Sequence, residues 1–256
     1  MPKPDIRTLP MPLEAAFSST AGVSCAWFCL GSTALVEVGL HARPDIVVID
    51  RQHGLWERLA MEAAIGIARP FAPVIVRSAD NTAGAIGEAL DAGAVSVMVP
   101  LIESADAARR AVAYGRYPPA GERSAGGIRP LLVGLEGMAN HIMPATIGVM
   151  IETVKGVEAI ESIAAVPGLG YLFIGTGDLR LSRGDLALEA IEADCDRVLK
   201  AARANHLPCG IFTGTTQTAL QQRAKGFDMV VAYSDIAIAQ DGFEAATGAL
   251  RCAASA

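Results

Sequence analysis

The strongest constraint in this sequence is a rhythm in which short apolar runs alternate with longer alanine-rich segments whose charges recur at helical spacing. The runs predict strands near Ser24–Leu30, Ile46–Asp50, Val74–Arg77, Val95–Pro100, Ile147–Glu152, Tyr171–Gly175, Cys209–Phe212 and Met229–Tyr233. Helices are expected at Leu59–Ala68, Thr82–Ala92, Ala105–Tyr114, Val154–Ala165, Ile191–Asn205, Thr216–Lys225 and Ile236–Leu250. Strands separated by helices form a parallel sheet, and the runs 45–50 and 95–100 are too apolar for a sheet wetted on one face. Eight such units in 256 residues point to an α/β fold, a (β/α)8 TIM barrel forming one domain over 1–256. An N-terminal extension would occupy about residues 1–20. Gly39, Gly93 and Gly226 stand where helices are expected to end in a left-handed turn. The stretch from Arg116 to Thr146 is too long for a plain connection and is expected to hold a short helix and a substrate loop.

Charge narrows the range of partners. The net charge is −6 and the longest basic cluster is Arg109-Arg110, which leaves no electrostatic footprint for nucleic acid or an anionic membrane. The 22 residues between Glu14 and Glu37 carry no charge, long enough to ask whether they span a bilayer. Ser18, Ser19, Thr20, Ser24, Ser32 and Thr33 would all need partners in hydrocarbon, and Gly22 and Gly31 weaken a lone helix. A buried strand with polar ends is expected there instead. Cys25, Cys29, Cys195, Cys209 and Cys252 are odd in number and lack C-x-x-C spacing, which predicts reduced thiols in a cytoplasmic protein.

The reactive face of such a barrel lies at the carboxyl ends of its strands. Asp50 ends the second run, with Gln52 and His53 just beyond; Arg77 ends the third, Glu152 the fifth, and Asp178 follows the sixth. Glu152 and Asp178 together suit one divalent cation, because hard ions take few protein carboxylates and keep positions open for water and substrate. Either could equally cap the helix that follows it. The Gly175-Thr-Gly177 turn would expose N–H groups to a substrate carboxylate. His53 stands where a base titrating near neutrality is useful, whereas His41, His141 and His206 read as structural. Arg77 is either half of a surface ion pair with Asp80 or the stabiliser of a developing oxyanion.

These residues sit in six ordered blocks: Asp45-Ile-Val-Val-Ile-Asp50 with His53; Pro73-Val-Ile-Val-Arg77; Leu90-Asp-Ala-Gly-Ala94 with Val97-Met-Val-Pro100; Arg116-Tyr-Pro-Pro119 with Gly121 and Arg123; Met150-Ile-Glu-Thr153; and Phe173-Ile-Gly175 with Gly177-Asp-Leu179. In them the chain resembles the HpcH/HpaI family of class II, pyruvate-dependent aldolases, over nearly its whole length. The resemblance implies a barrel of the phosphoenolpyruvate/pyruvate type. It implies Glu152 and Asp178 as ligands of Mg²⁺, Mn²⁺ or Co²⁺, and N–H groups of Gly177 and Asp178 on the pyruvate carboxylate. Arg77 would steady the keto or enolate oxygen, and His53 with Asp91 would form a dyad that moves a proton through water. Asp50, Gln52 and Arg123 join the expected substrate-binding set. The implied enzyme cleaves or forms 4-hydroxy-2-oxo acids, from pyruvate or a related 2-oxo acid and an aldehyde, through a metal-bound enolate. Decarboxylation of oxaloacetate at the same site, and a barrel that binds ligand without turnover, are the alternatives.

The implied assembly is a homo-oligomer, a hexamer or trimer of dimers, with the last helix at about 236–250 available for exchange between subunits. Asp91 precedes the fourth strand, opposite the mouth, so either it orders the helix-to-strand turn or, as the resemblance implies, it meets the His53 of a neighbouring subunit. The chain departs from the family at Arg51-Gln52, where Gly-Glu is usual, and at Gly175-Thr-Gly-Asp178, where Gly-Pro-Ala/Ser-Asp is usual. The second departure predicts a more flexible turn. The segment from Arg123 to Glu152 is also shorter than the family's.

Overall fold

Strands β1 (Val23–Phe28), β2 (Ile46–Asp50), β3 (Val74–Arg77), β4 (Ser96–Val99), β5 (Thr146–Ile151), β6 (Tyr171–Ile174), β7 (Cys209–Ile211) and β8 (Met229–Ser234) pair in parallel, each with its sequence neighbour, and β8 closes onto β1. This computed structural model describes residues 12–17, 23–140, 145–184 and 188–254; most of the expected N-terminal extension and His141 lie outside them. The first helices are α1 (Leu13–Phe17), α2 (Thr33–Leu40), α3 (Arg58–Ala68), α4 (Ala83–Asp91) and α5 (Ala105–Tyr114). The long β4–β5 connection holds two short helices, α6 (Ile128–Leu131) and α7 (Gly134–Ala139). Then come α8 (Val154–Glu158), α9 (Ile160–Ala164), α10 (Thr176–Arg183), α11 (Leu188–Ala204), α12 (Thr216–Lys225) and α13 (Asp235–Ala254). Among the described residues no helix is long and apolar enough to cross a membrane.

Local chemistry explains most boundaries. Ser32, Thr82, Ser104, Thr153 and Thr215 each precede a helix, and each hydroxyl accepts the N–H three residues on. Gly93 and Gly226 take the left-handed turn expected of them, at φ 95° and 104°. Gly39 does not: it lies inside α2, where a Cβ would come within 2.6 Å of the Phe28 ring, and the left-handed residue is Arg43 at φ 52°. The expected single helix over Val154–Ala165 is two, joined at Ala159, whose carbonyl accepts the Ser162 hydroxyl at 2.8 Å. The flexible turn expected at 175–178 is instead the ordered start of α10, capped by Gly175.

The strands' period of two sorts the core into two layers. Ala26, Phe28, Val47, Ile49, Val74 and Val76 pack outward under the helices, whereas Cys25, Trp27, Ile46, Val48, Ile75, Met98, Met150 and Phe173 fill the barrel. At the amino end α1 plugs the interior, with Leu13 fully buried and the Phe17 ring 6.3 Å from Tyr171. At the carboxyl end the same parity lifts Asp50, Arg77 and Glu152 onto the interior axis, two residues beyond Val48, Ile75 and Met150. Cys25, Cys29, Cys195 and Cys209 are free and buried.

One glycine makes the interior packing possible. Tyr171 points into the barrel, where its hydroxyl shares a hydrogen bond with Ser96 at 3.1 Å, and its ring occupies the space that a Cβ on Gly148 would need. Gly148→Ala is therefore expected to destabilise the protein by about 1–3 kcal/mol, the usual cost of overpacking. Urea denaturation would show a lower midpoint at unchanged slope; an unmoved midpoint would contradict this packing.

Candidate active site

The carboxyl ends of the strands surround a cavity of about 360 Å³. Asp50, His53, Arg77, Glu152, Gly177 and Asp178 all line it, so most of the residues singled out from the sequence come together. Gly175 and Thr176, of the turn expected to face a substrate carboxylate, line it too; Trp27, Cys29, Met150, Phe212, Ser234 and the α13 residues Ile236, Ala237 and Gln240 were not anticipated as lining. Parity could have found Trp27, Cys29 and Met150, which share the inward face of β1 or β5. The α13 residues carry no such signal, because closure of the barrel decides where that helix starts.

Asp50 and Arg77 form the polar centre. Asp50 Oδ1 accepts Arg77 Nε–H at 2.8 Å and the backbone N–H groups of Gln52 and His53 at 3.0 and 3.2 Å. Its Oδ2 accepts a second Arg77 nitrogen, the Trp27 indole N–H at 3.2 Å and the Cys29 thiol at 3.5 Å. Burial alone would raise the Asp50 pKa, but the hydrogen bonds and charge of Arg77, with help from His53 and Trp27, hold it below the usual carboxylate range. Asp50 thus spends its acceptors within the chain and fixes Arg77, whose guanidinium also lies over the Trp27 ring at 5.1 Å. Asp80 is occupied elsewhere, accepting the N–H and hydroxyl of Thr82.

Glu152 follows the last residue of β5 and is 1% exposed. Its Oε1 accepts the Leu101 N–H at 2.7 Å, while its Oε2 is buried with no hydrogen-bond partner. Gly175 leaves room for that oxygen, since a Cβ there would overlap it. Burial pushes the Glu152 pKa up; the Leu101 N–H and Arg77 oppose this, and the charges of Asp178 and Asp50 add to it. Glu152 is not a helix cap, because Thr153 caps α8. Asp178 lies in the first turn of α10, where Gly175 is the cap and the N–H groups of the turn face no helical acceptor. An orphaned carboxyl oxygen beside a second carboxylic group is a donor set that fits a hard divalent cation. Among the described residues no group of three or more His, Cys, Asp or Glu gathers as a metal site, so such an ion would complete its shell with water or substrate oxygens.

Three anticipated residues stand apart. Gln52 is half-buried outside the cavity lining, with its Oε1 buried and unpartnered. Asp91 ends α4 at the amino end of the barrel, where Arg123 donates to it at 2.9 Å and stacks on Tyr117 at 4.5 Å. Neither Asp91 nor Arg123 reaches the cavity of its own chain.

Asp50→Ala would strand the Arg77 charge in the interior, at an expected cost of about 3–5 kcal/mol. Because the folded pKa of Asp50 is depressed, its stabilisation is complete above the unfolded carboxylate pKa and lost as pH falls through the folded value. The stability gap between wild type and variant should stay flat from about pH 5 to 8 and close only below about pH 4. A gap that closed near neutrality in denaturation curves would contradict the pairing.

The sequence profile of the HpcH/HpaI aldolase/citrate lyase family matches residues 24–240. A hydroxypyruvate/pyruvate aldolase of Paraburkholderia phytofirmans is 34% identical over 243 residues, covering 90% of this chain and 93% of the relative. A 4-hydroxy-2-oxovalerate aldolase of Rhodococcus jostii is 34% identical over 210 residues, 78% of this chain and 80% of the relative. The crystal structure of an HpcH/HpaI aldolase/citrate lyase family protein from Burkholderia cenocepacia superimposes with a TM-score of 0.85 at 29% identity, covering 93% of this chain and 98% of that one. On sequence and fold together, this chain belongs to the HpcH/HpaI aldolase/citrate lyase family and is an enzyme of its aldolase class.

Proposed function

We propose that the protein is a divalent-metal-dependent aldolase of the cytoplasm that joins pyruvate, or a related 2-oxo acid, to a small aldehyde and cleaves the matching 4-hydroxy-2-oxo acid. The observation that supports this most is the orphaned Oε2 of Glu152, buried in the cavity that also holds Asp178, Arg77 and the start of α10. Glu152 and Asp178 would hold Mg²⁺, Mn²⁺ or Co²⁺, and such an ion, when bound, draws electron density from the 2-oxo acid and acidifies its methyl protons. The N–H groups of Gly177 and Asp178, at the positive end of α10, bind the carboxylate. Arg77, held by Asp50, stabilises the negative charge that forms on the keto oxygen as a methyl proton passes to water in the cavity, from which His53 can draw the proton it delivers next. His53 lines the same cavity at the rim, and its backbone is pinned by Asp50. Its imidazole delivers a proton, directly or through water, to the aldehyde oxygen as the carbon–carbon bond forms. In cleavage it withdraws that proton from the hydroxyl.

The working unit in this reading is a homo-oligomer, a hexamer or trimer of dimers. Residues 241–251 of α13 project from the barrel exposed on every side, with Phe243 and Leu250 each 75% exposed, a face that a second copy would cover. Asp91 would then act on the His53 of a neighbour. Dilution to monomer is expected to abolish turnover, and a fully active monomer would contradict this part of the reading.

The chemistry is tested by exchange of the pyruvate methyl protons with deuterium, followed by proton NMR. Exchange is expected with Mg²⁺, Mn²⁺ or Co²⁺, is lost on chelation, and falls on the order of a hundredfold or more in Glu152→Gln and Asp178→Asn. Undiminished exchange in both variants would overturn the metal assignment.

A further inference from the structure

Phe212 is gripped on both sides of its peptide by the joint that carries the carboxylate-binding N–H groups. Its N–H donates to the Ile174 carbonyl at 3.1 Å, and its own carbonyl accepts the Thr176 hydroxyl at 3.0 Å. The next residue extends the link to β8, where the Thr213 hydroxyl donates to the Val231 carbonyl at 2.7 Å. On the other side of the backbone, the Phe212 ring meets Trp27 edge-on, with centroids 5.4 Å apart. Thr176, Phe212 and Trp27 all line the cavity.

The Thr176 hydroxyl is not a helix cap. Gly175 holds the cap position of α10, and the hydroxyl reaches across to the end of β7 rather than back to its own helix. Gly175 and Gly177 flank it and bring no side chain to the joint. Among the described residues it is the one side chain of the segment 175–178 that hydrogen-bonds to a neighbouring strand or its loop. β7 itself is only three residues long and runs into a loop with Gly214 at φ 75°, and the Thr176 hydroxyl is the group that binds the Phe212 carbonyl itself.

We infer that Thr176 is a positioning residue of the aldolase: its hydrogen bond to Phe212 fixes the spacing between the carboxylate-binding N–H groups and the aromatic wall of Phe212 and Trp27. This rests on the reading that the donor's carboxylate sits at the start of α10. The donor's methyl is its apolar part and belongs against that wall. The spacing therefore sets both the affinity for the 2-oxo acid and the size of the group allowed at its C3.

Thr176→Val keeps the side-chain volume and removes the hydroxyl, whereas Thr176→Ser keeps the hydroxyl. With pyruvate and 2-oxobutyrate as donors, Thr176→Val is expected to raise the KM for pyruvate about tenfold, the scale of one lost hydrogen bond, while kcat stays within about threefold. The preference for pyruvate over 2-oxobutyrate should shrink, and Thr176→Ser should restore both. Near-ultraviolet circular dichroism of the ligand-free protein, to which the Trp27–Phe212 pair contributes, should change in Thr176→Val and not in Thr176→Ser. Wild-type KM and preference in Thr176→Val, or equal losses in both variants, would overturn the inference. An unchanged aromatic signal in Thr176→Val would overturn the tether itself. A wild type without aldol turnover would count against the donor reading instead, since the aromatic signal needs no reaction.

Discussion

The mouth of this barrel depends on one buried ion pair. Asp50 and Arg77 end adjacent parallel strands and are partners in register, so their inward side chains meet directly above the interior core. Neither charge could remain there without the other, because the desolvation of a lone buried charge exceeds what the remaining contacts return. Together they fix the guanidinium, the indole of Trp27, the thiol of Cys29 and the backbone that presents His53. This polar centre is therefore a continuation of sheet register, set by paired strands although it lies at a loop-rich face.

The cavity divides by origin. Its charged groups come from β2, β3, the end of β5 and the first turn of α10, while its apolar wall comes from β1, β5, the residue after β7 and the start of α13. Asp235 joins the last of these to the first: its carboxylate accepts the N–H groups of Cys29 and Leu30, each at 2.8 Å, and so pins the base of α13 against β1. A small 2-oxo acid has the same two-sided character, with two oxygen-bearing carbons that suit the charged half and one methyl, the carbon that loses a proton, that suits the apolar half.

Much of the fold was legible because buried parallel strands leave an unmistakable trace. All eight apolar runs are strands, and α5 and α12 have the expected ends. Asp50, Arg77 and Glu152 could be picked out because a charge that ends an apolar run has few structural reasons to be there. Of the aromatic wall, Trp27 could be found by parity along β1, whereas Phe212 follows a strand of only three residues, too short for its alternation to show. The bounds of α2 and α10 were not legible, since both are short and the first turn of α10 is rich in glycine. Asp91 and Arg123 entered by resemblance alone, and within one chain they form a pair at the far end of the barrel.

The central claim is that Glu152 and Asp178 share one cation. Its most direct test is a crystal structure of the protein grown with Mn²⁺ and oxalate, a stand-in for the pyruvate enolate, with the metal located by its anomalous scattering. The account predicts one strong peak between the two carboxylates, within bonding distance of Glu152 Oε2 and an Asp178 oxygen. A manganese peak elsewhere, with these two side chains turned apart and Oε2 still unpartnered, would contradict it.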